Sequence, residues 1–219
     1  MRRAIRCREQ MLQSDGPQFD NMYLLADTLV SFGRMQEAAD QLNEARRLLT
    51  RAIELRRQIE ELFPDRSNQS IRLDQMLEVL GTIAYRQGDT EQARADDEEA
   101  IQLARAALAR APNDAGRLTS ISELFSRVEF TDLRSPAEAV TLAARAVELT
   151  DRRDAAALLA LGHAHLANNQ PTLARDALEQ AARLEIPCEK KDLRDELSAA
   201  LAACGPKKVD AATVDSGKK

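Results

Sequence analysis

Pairs of alanines seven residues apart recur along the chain and restrict its fold more than any other feature. The pairs are Ala45 with Ala52, Ala93 with Ala100, Ala139 with Ala146, and Ala174 with Ala181. Seven residues make nearly two turns of α-helix, so both alanines of a pair lie on one helix face. Ala4 opens a similar segment, and the five segments follow at intervals of 48, 48, 46 and 35 residues. The pattern predicts equivalent helices in a row of repeats.

The stretch of residues 154–187 shows what one repeat contains. It predicts two helices of similar length joined by a tight turn. Counted from Ala155, small residues stand at position 8, which is Gly162, and at position 20, which is Ala174. Small residues at a crossing let two helices approach closely, and Leu178 fills the space beside it. The stretch resembles a tetratricopeptide repeat. The resemblance implies an all-α fold, an α-solenoid of helical hairpins wound into a right-handed superhelix.

The same pattern divides the chain into segments. Residues 1–15 are expected to form the second helix of a half repeat whose first helix is missing. About four repeats follow at 17–65, 70–112, 114–150 and 154–187, then a capping helix at 188–204 and a disordered tail at 205–219. In the first repeat we place the turn at residues 32–38. Its second helix should then run to Leu62 and be about 40 Å long.

Composition favours helix and excludes several classes of protein. The chain has no tryptophan and only two tyrosines, a mixture that disfavours sheet. Its formal net charge of −5 is mild, so we expect no nucleic-acid partner. No apolar run is long enough to cross a membrane. Three scattered cysteines suit neither a disulfide framework nor a zinc site. We therefore expect a cytoplasmic protein without metal or cofactor.

A narrower resemblance concerns a long helix ending in EELFPD and the later segment DLRSPAEAVTLAARAVEL. Both are similar to tetratricopeptide arrays attached to bacterial serine/threonine protein kinases of the planctomycete type. In those chains the kinase domain lies upstream. This sequence has no Gly-rich phosphate loop, HRD-like catalytic loop or DFG motif. The resemblance implies either a detached region of such a kinase or a stand-alone relative.

The residues that could carry chemistry have simpler interpretations. His163 and His165, the only histidines, would point ~200° apart on a helix, which disfavours a shared metal. The acidic residues stand near arginine or lysine on helix faces, as is typical of solvated surface. The cysteines have no histidine nearby in sequence, which disfavours a nucleophilic role. We therefore expect a chain that is not an enzyme and has no catalytic residues.

The remaining functional surface is the groove that tetratricopeptide arrays carry on their concave side. The resemblance implies that positions 2, 5, 9 and 12 of each first helix line it. The candidate groove residues are Asp20, Tyr23, Asp27, Val30, Glu78, Thr82, Tyr85, Ser122, Ser126, Leu159, His163 and Leu166. They predict a groove that is acidic and aromatic towards the first repeat and apolar towards the last. We expect an interaction scaffold or adaptor that binds a protein or peptide, with basic character near the first repeat.

Further expectations concern the biological role and the N-terminus. The kinase-like resemblance implies a regulatory role in bacterial kinase signalling. The alternatives are the C-terminal region of a repeat-containing kinase or another enzyme, and a structural module for self-assembly. Residues 2–14 should present Ile5, Met11 and Leu12 as an apolar stripe without a partner helix. Exposed apolar stripes tend to find partners, so we expect contact there with an upstream domain or a second copy of the chain.

Overall fold

The computed structural model describes residues 1–66, 72–187 and 190–205, which form ten α-helices and no β-strand. The prediction of an all-α fold is therefore confirmed. Cys188 and most of the tail that we expected to be disordered lie outside the described residues. The helices are α1 (Arg2–Asp15), α2 (Phe19–Ala38), α3 (Leu42–Leu62), α4 (Leu73–Arg86), α5 (Thr90–Arg110), α6 (Ala115–Arg127), α7 (Pro136–Leu149), α8 (Ala155–Ala167), α9 (Pro171–Arg183) and α10 (Lys191–Ala203).

Packing divides the chain into two compact units. Unit 1 comprises Met1–Pro112 with Arg127–Ser135, and unit 2 comprises Asn113–Ser126 with Pro136–Lys219. In unit 1, each helix from α1 to α5 packs on the next one in sequence. In unit 2, α7 packs on α8, α8 packs on α9, and α10 packs on both α8 and α9. Packing between sequence neighbours is typical of repeat proteins. The right-handed superhelix stays a prediction.

The paired alanines form the core of the hairpins. All eight, from Ala45 to Ala181, are 0% exposed. A methyl side chain lets the backbones of two helices approach closely, and β-carbons on one face then meet the facing helix. Ala4 differs, because it is exposed and the neighbouring Ile5 is the buried residue of α1. The expectation that Ala4 is equivalent to the other alanines was therefore wrong.

Three glycines mark the points where the two helices of a hairpin touch. A β-carbon added to Gly33 would lie 2.9 Å from Leu49, and one added to Gly162 would lie 2.5 Å from Leu178. At Gly81 the nearest atom would be a carboxylate oxygen of Asp97, at 2.6 Å. Each glycine precedes its covering residue by sixteen positions. The glycines therefore give a common register for three hairpins.

The turns of the same hairpins share one geometry. Asp40, Gly88 and Asn169 have φ angles of 58°, 83° and 56°, in the left-handed region. The amide of the residue after each one donates to a carbonyl five residues earlier, at 2.8 to 2.9 Å. This bond satisfies a carbonyl at the end of the first helix and is the Schellman arrangement. The second helix begins immediately afterwards.

The first hairpin corrects the sequence prediction. α2 continues through Gly33 to Ala38, so the turn lies at residues 39–41 and not at 32–38. α3 therefore has 21 residues, a length of about 31 Å instead of 40 Å. The prediction was wrong because a glycine followed by polar residues resembles a helix end. The extra length belongs to both helices, since α2 has 20 residues where α8 has 13.

Candidate peptide-binding face

The common register moves the groove positions of α2 by one heptad. Gly33 lies twelve residues before Ala45, as Gly81 lies before Ala93, so it corresponds to position 8 of its repeat. Asp27 and Val30 remain on the stripe, whereas Asp20 and Tyr23 lie in the extended N-terminal part of α2. The corrected stripes are Asp27, Val30, Arg34 and Glu37 on α2, with Gln75, Glu78, Thr82 and Tyr85 on α4. We call these eight residues the α2/α4 face.

The extended end of the first hairpin carries an aromatic cluster. The ring of Phe19 stacks on Tyr23 and meets Phe63 edge-on, with both pairs of centroids 5.7 Å apart. The guanidinium of Arg66 lies 4.3 Å from the centre of Phe19, and that of Arg56 lies 4.1 Å from the centre of Tyr23. These contacts combine apolar burial with cation–π attraction. Tyr23 therefore serves the packing of the hairpin end.

The acidic residues of this hairpin already have partners within the chain. Asp27 accepts a hydrogen bond from Arg56, whose side chain is only 2% exposed. Asp20 lies 3.9 Å from Arg66. The buried Arg56 offsets the charge of Asp27, whereas solvent screens the exposed pair of Asp20 and Arg66. The expected attraction of a basic peptide to this end of the groove is therefore weakened by Arg56, a residue that sequence reasoning missed.

Within the α2/α4 face, the side chains differ in solvent exposure and in whether they already have a partner in the chain. Arg86 donates to Glu37 and to Asp40, which ties the end of α4 to the end of α2. Val30, Glu78 and Thr82 are half-buried. Tyr85 is 45% exposed, and the edge of its ring meets Phe130 with centroids 5.9 Å apart. The face thus offers an exposed aromatic ring beside small apolar and hydroxyl side chains.

In unit 2, the predicted groove residues of α6 are buried. Ser122 is 0% exposed and donates to the carbonyl of Ala139 at 2.8 Å, whereas Ser126 is 4% exposed and donates to the carbonyl of Ser122. Ser122 therefore occupies the crossing position that glycine holds in the other hairpins. The predicted register of α6 was wrong, because serine at this position gave no glycine-like signal. Neither serine can contact a partner in this arrangement.

The predicted groove residues of α8 differ in exposure. Leu159 is 1% exposed, so its assignment to an open groove was also wrong. The α8 helix is apolar on nearly all sides, and α7, α9 and α10 all pack against it. His163 and Leu166 are half-buried. His165 is half-buried and shares a hydrogen bond between its Nδ1 and Oε1 of Gln170 at 2.7 Å.

The histidine, cysteine and acidic side chains of the described residues are the groups that could bind a metal ion or react as nucleophiles. Across residues 1–66, 72–187 and 190–205, no three histidine, cysteine or acidic side chains come together in a way that could hold a metal ion. Cys7 is exposed, and burial raises the pKa of the Cys204 thiol, which opposes formation of a thiolate. Among the helices of these ranges, none is long and apolar enough to cross a bilayer.

Comparison with known families places a repeat on α4 and α5. Residues 75–114 match the family model of the tetratricopeptide repeat. Over these residues the chain is similar to a tetratricopeptide repeat. In this repeat, Gly81, Ala93 and Ala100 occupy the same positions as Gly162, Ala174 and Ala181 in the hairpin of α8 and α9. No curated protein sequence matches the chain significantly.

Solved structures that contain tetratricopeptide repeats resemble the chain at low sequence identity. TTC0263, a thermophilic protein of this class from Thermus thermophilus, is 18% identical with a TM-score of 0.47, covering 82% of this chain and 83% of that chain. YrrB, described as having an unusual peptide-binding site, is 16% identical with a TM-score of 0.45, covering 92% and 82%. Part of a repeat protein from Cytophaga hutchinsonii is 13% identical with a TM-score of 0.43, covering 91% and 72%.

Proposed function

We propose that this chain is a non-catalytic interaction scaffold that binds a peptide segment of a partner protein on the α2/α4 face. The observation that carries the proposal is that two acidic side chains of this face are paired with arginines, whereas an aromatic ring on it is exposed. Asp27 and Glu37 pair with arginines of the chain, whereas Tyr85 is 45% exposed. A peptide can therefore contact the ring without displacing water from unpaired carboxylates. The tetratricopeptide repeat on α4 and α5, a module that commonly binds protein segments, supports the proposal.

The same charges define the peptide that suits this face. Because Arg56 pairs with Asp27 and Arg86 pairs with Glu37, the face has no strong preference for a basic segment. Arg34 is exposed and adds a positive charge on α2. We propose an extended peptide with an aromatic or aliphatic anchor that packs on Tyr85 and Val30. Backbone groups of the peptide would bond to Thr82 and to neighbouring polar side chains.

Selection from random peptides displayed on phage tests this function. The affinity of each selected peptide is measured for the wild-type chain and for the double variant Val30→Arg, Thr82→Arg. This variant places two long charged side chains on the face. The matched control is Gln58→Arg with Gln102→Arg, which adds the same charge at exposed positions of α3 and α5. The proposal expects binding to be lost in the first variant and kept in the second. Selected peptides that bind both variants equally would contradict it.

A finer part of the proposal concerns the biological setting. The similarity of two sequence segments to kinase-attached arrays supports a regulatory role in bacterial kinase signalling, in the cytoplasm. Chemical cross-linking in the source cell, followed by mass spectrometry, tests it. We expect a serine/threonine kinase among the cross-linked partners of the wild-type chain and its loss in the Val30→Arg, Thr82→Arg variant. Recovery of partners that include no kinase would remove this part and leave the scaffold proposal standing.

We further propose that α1 provides a second contact surface. Ile5 is covered by the chain itself, but Met11 is 44% exposed and Leu12 is half-buried. A second copy of the chain or an upstream domain would cover these two side chains. Sedimentation velocity at increasing protein concentration distinguishes the cases. Association that Met11→Lys abolishes supports contact between copies, whereas a monomer at every concentration removes that form of the proposal.

A further inference from the structure

A pocket of about 460 Å³ lies between α3 and α5 in unit 1. Its lining includes three apolar side chains, Ile53, Leu77 and Leu80, which are at most 8% exposed. Residues of α3 and α5 complete the lining, including Arg57 and Asp96. None of the residues of the α2/α4 face lines this pocket, so it is separate from the proposed peptide-binding face. The three apolar side chains lie among seven polar or charged ones and form a small apolar patch that could contact a short hydrocarbon chain.

Asp96 is the unusual residue of this pocket. Its side chain is 4% exposed; Oδ1 accepts a hydrogen bond from Gln92 at 2.9 Å, and Oδ2 has no hydrogen-bond partner. Burial raises the pKa of this carboxyl above its usual range, although the bond from Gln92 and the charge of Arg46 act in the opposite direction. A buried carboxylate with an unpartnered oxygen is costly unless a donor reaches it.

The other charged residues around the pocket are already paired. Arg46 donates to Asp89 at 2.8 Å, and Arg57 donates to Glu99 at 2.7 Å. Glu54 accepts from Arg51 at 3.1 Å on the surface of α3. Each of these pairs joins one positive and one negative group. Among the charged residues of the lining, Asp96 is therefore the one without an ion pair to another described residue.

The pocket beside α1, α2 and α3 provides an internal comparison. Leu48 precedes Asp96 by 48 residues, the same interval that separates Ala52 from Ala100, so the two hold equivalent places on α3 and α5. Leu48 lines a pocket of about 450 Å³ where α1 packs beside α2 and α3. Leucine at this place is 3% exposed and completes an apolar surface. The packing of a helix there is thus compatible with an apolar residue, and the carboxylate of Asp96 is not required by the repeat.

We infer that the pocket between α3 and α5 is a binding site for an alkylammonium group. The ammonium donates a hydrogen bond to the Asp96 carboxylate, and the hydrocarbon chain lies on Ile53, Leu77 and Leu80. A primary ammonium carries three donors on a narrow stem, which suits one carboxylate beside a small apolar patch. The group is either the side chain of a partner lysine or a small linear amine. The Asp96 carboxylate is covered in this structure, so binding requires movement of neighbouring side chains such as Gln92.

Titration of the wild-type chain with n-butylamine tests the site directly, observed by amide chemical shifts in nuclear magnetic resonance. We expect saturable shifts confined to residues around the pocket in α3, α4 and α5. n-Butanol has the same hydrocarbon chain without the charge and should bind at least about tenfold more weakly, because a hydrogen bond to a charged group contributes roughly 1.5–3 kcal/mol. Equal binding of the amine and the alcohol would overturn the inference.

Substitutions identify the carboxylate that holds the amine. Asp96→Asn keeps the shape of the side chain and removes the charge, so butylamine should bind at least about tenfold more weakly. Asp96→Leu introduces the residue that α3 has at the equivalent place, Leu48, and is a second variant whose side chain can be buried without cost. Glu98→Gln is the matched control, because Glu98 is exposed on α5 and pairs with Arg94. Unchanged affinity in both Asp96 variants, or equal loss in the control, would contradict the site.

Two further probes distinguish the sources of the ammonium group. Nα-acetyl-lysine N-methylamide, which keeps the side-chain ammonium, represents a lysine of a partner protein. 1,5-Diaminopentane represents a small linear amine. Binding of the lysine derivative with at least the affinity of butylamine supports the lysine, whereas a clear preference for the diamine supports the small molecule. Failure of all three amines to bind would overturn the inference without affecting the peptide-binding proposal, which concerns other residues.

Discussion

Asp97 shows how one residue departs from the pattern of its repeat. Leu49 and Leu178 cover the crossing glycines of two hairpins, whereas the third hairpin has Asp97 at this place. Asp97 is 1% exposed, and one of its oxygens has no hydrogen-bond partner. Burial raises the pKa of this carboxyl to about 6, although the backbone amide of Glu129 donates to it and lowers the value. The side chain is therefore a source of instability near neutral pH.

The stability of the chain should depend on pH through Asp97. In the unfolded chain its carboxyl titrates near 3.8, well below the folded value of about 6. The stabilising contribution is therefore complete below the unfolded pKa and is lost as pH rises through the folded pKa. Each unit of pKa corresponds to about 1.4 kcal/mol, so the loss is at most about 3 kcal/mol.

Asp97→Leu should remove this dependence and raise the free energy of unfolding near pH 7. The measurement is urea denaturation of both proteins across the range from acid to neutral pH. Glu98→Gln serves as the control, because the neighbouring Glu98 is exposed and its substitution should leave the slope in place. An Asp97→Leu variant that keeps the wild-type dependence on pH would show that another group causes it.

The ion pair between Asp27 and Arg56 supports a second prediction. Arg56 is 2% exposed, and its Nε and one terminal nitrogen have no hydrogen-bond partner. Asp27→Ala leaves a buried guanidinium without its carboxylate and should cost about 1–3 kcal/mol, since Asp27 is half exposed and Arg56 keeps its contact with Tyr23. Adding Arg56→Met restores much of the loss, since methionine fills similar space without charge. A double-mutant cycle by denaturation measures the coupling. Additive losses in the double variant would argue against the pair.

At the scale of the helix pair, close crossing is the main requirement. In Gly162→Ala, the new methyl group would lie 2.5 Å from Leu178 and force one helix away. We expect a loss of about 1–3 kcal/mol, as is typical of overpacked cores. Because Leu178→Ala creates space at the same point, the double variant should lose less than the sum of the single variants. Thermal and urea unfolding provide the measurement, and strictly additive losses would contradict the crossing contact.

The turns support a separate prediction about backbone conformation. Gly88 has a φ of 83°, and a β-carbon there would meet no atom within 4 Å. Gly88→Ala should therefore lower stability by about 1–2 kcal/mol through the left-handed conformation alone. Gly116 is exposed in the first turn of α6, where alanine should instead raise stability by about 0.5 kcal/mol. Opposite signs for the same chemical change are expected in denaturation experiments, and equal signs would exclude the conformational explanation.

The alanine pattern was sufficient to predict the helical class and the buried face of the second helices. It was insufficient for the register of the first helices, because small residues recur every heptad in α2. Ala26 and Gly33 are both compatible with a crossing, and only the contact between Gly33 and Leu49 distinguishes them. In α6, Ser122 occupies the crossing without any glycine. The change of register in α2 moves Asp20 and Tyr23 off the groove positions, whereas Asp27 and Val30 stay on them. In α6, Ser122 and Ser126 fail as groove residues because both are buried.

For the whole molecule, the local stability of each helix should depend mainly on the helices next to it. In repeat proteins each hairpin contacts mainly the adjacent ones, so a local defect weakens its neighbours more than distant helices. In the Gly162→Ala variant, amide hydrogen exchange should therefore accelerate most in α8 and α9 and least in α2 and α3. The comparison is made with Gly33→Ala, which places the corresponding defect in the first hairpin and should reverse the order. Equal acceleration in all four helices in both variants would show that the chain unfolds as one cooperative body.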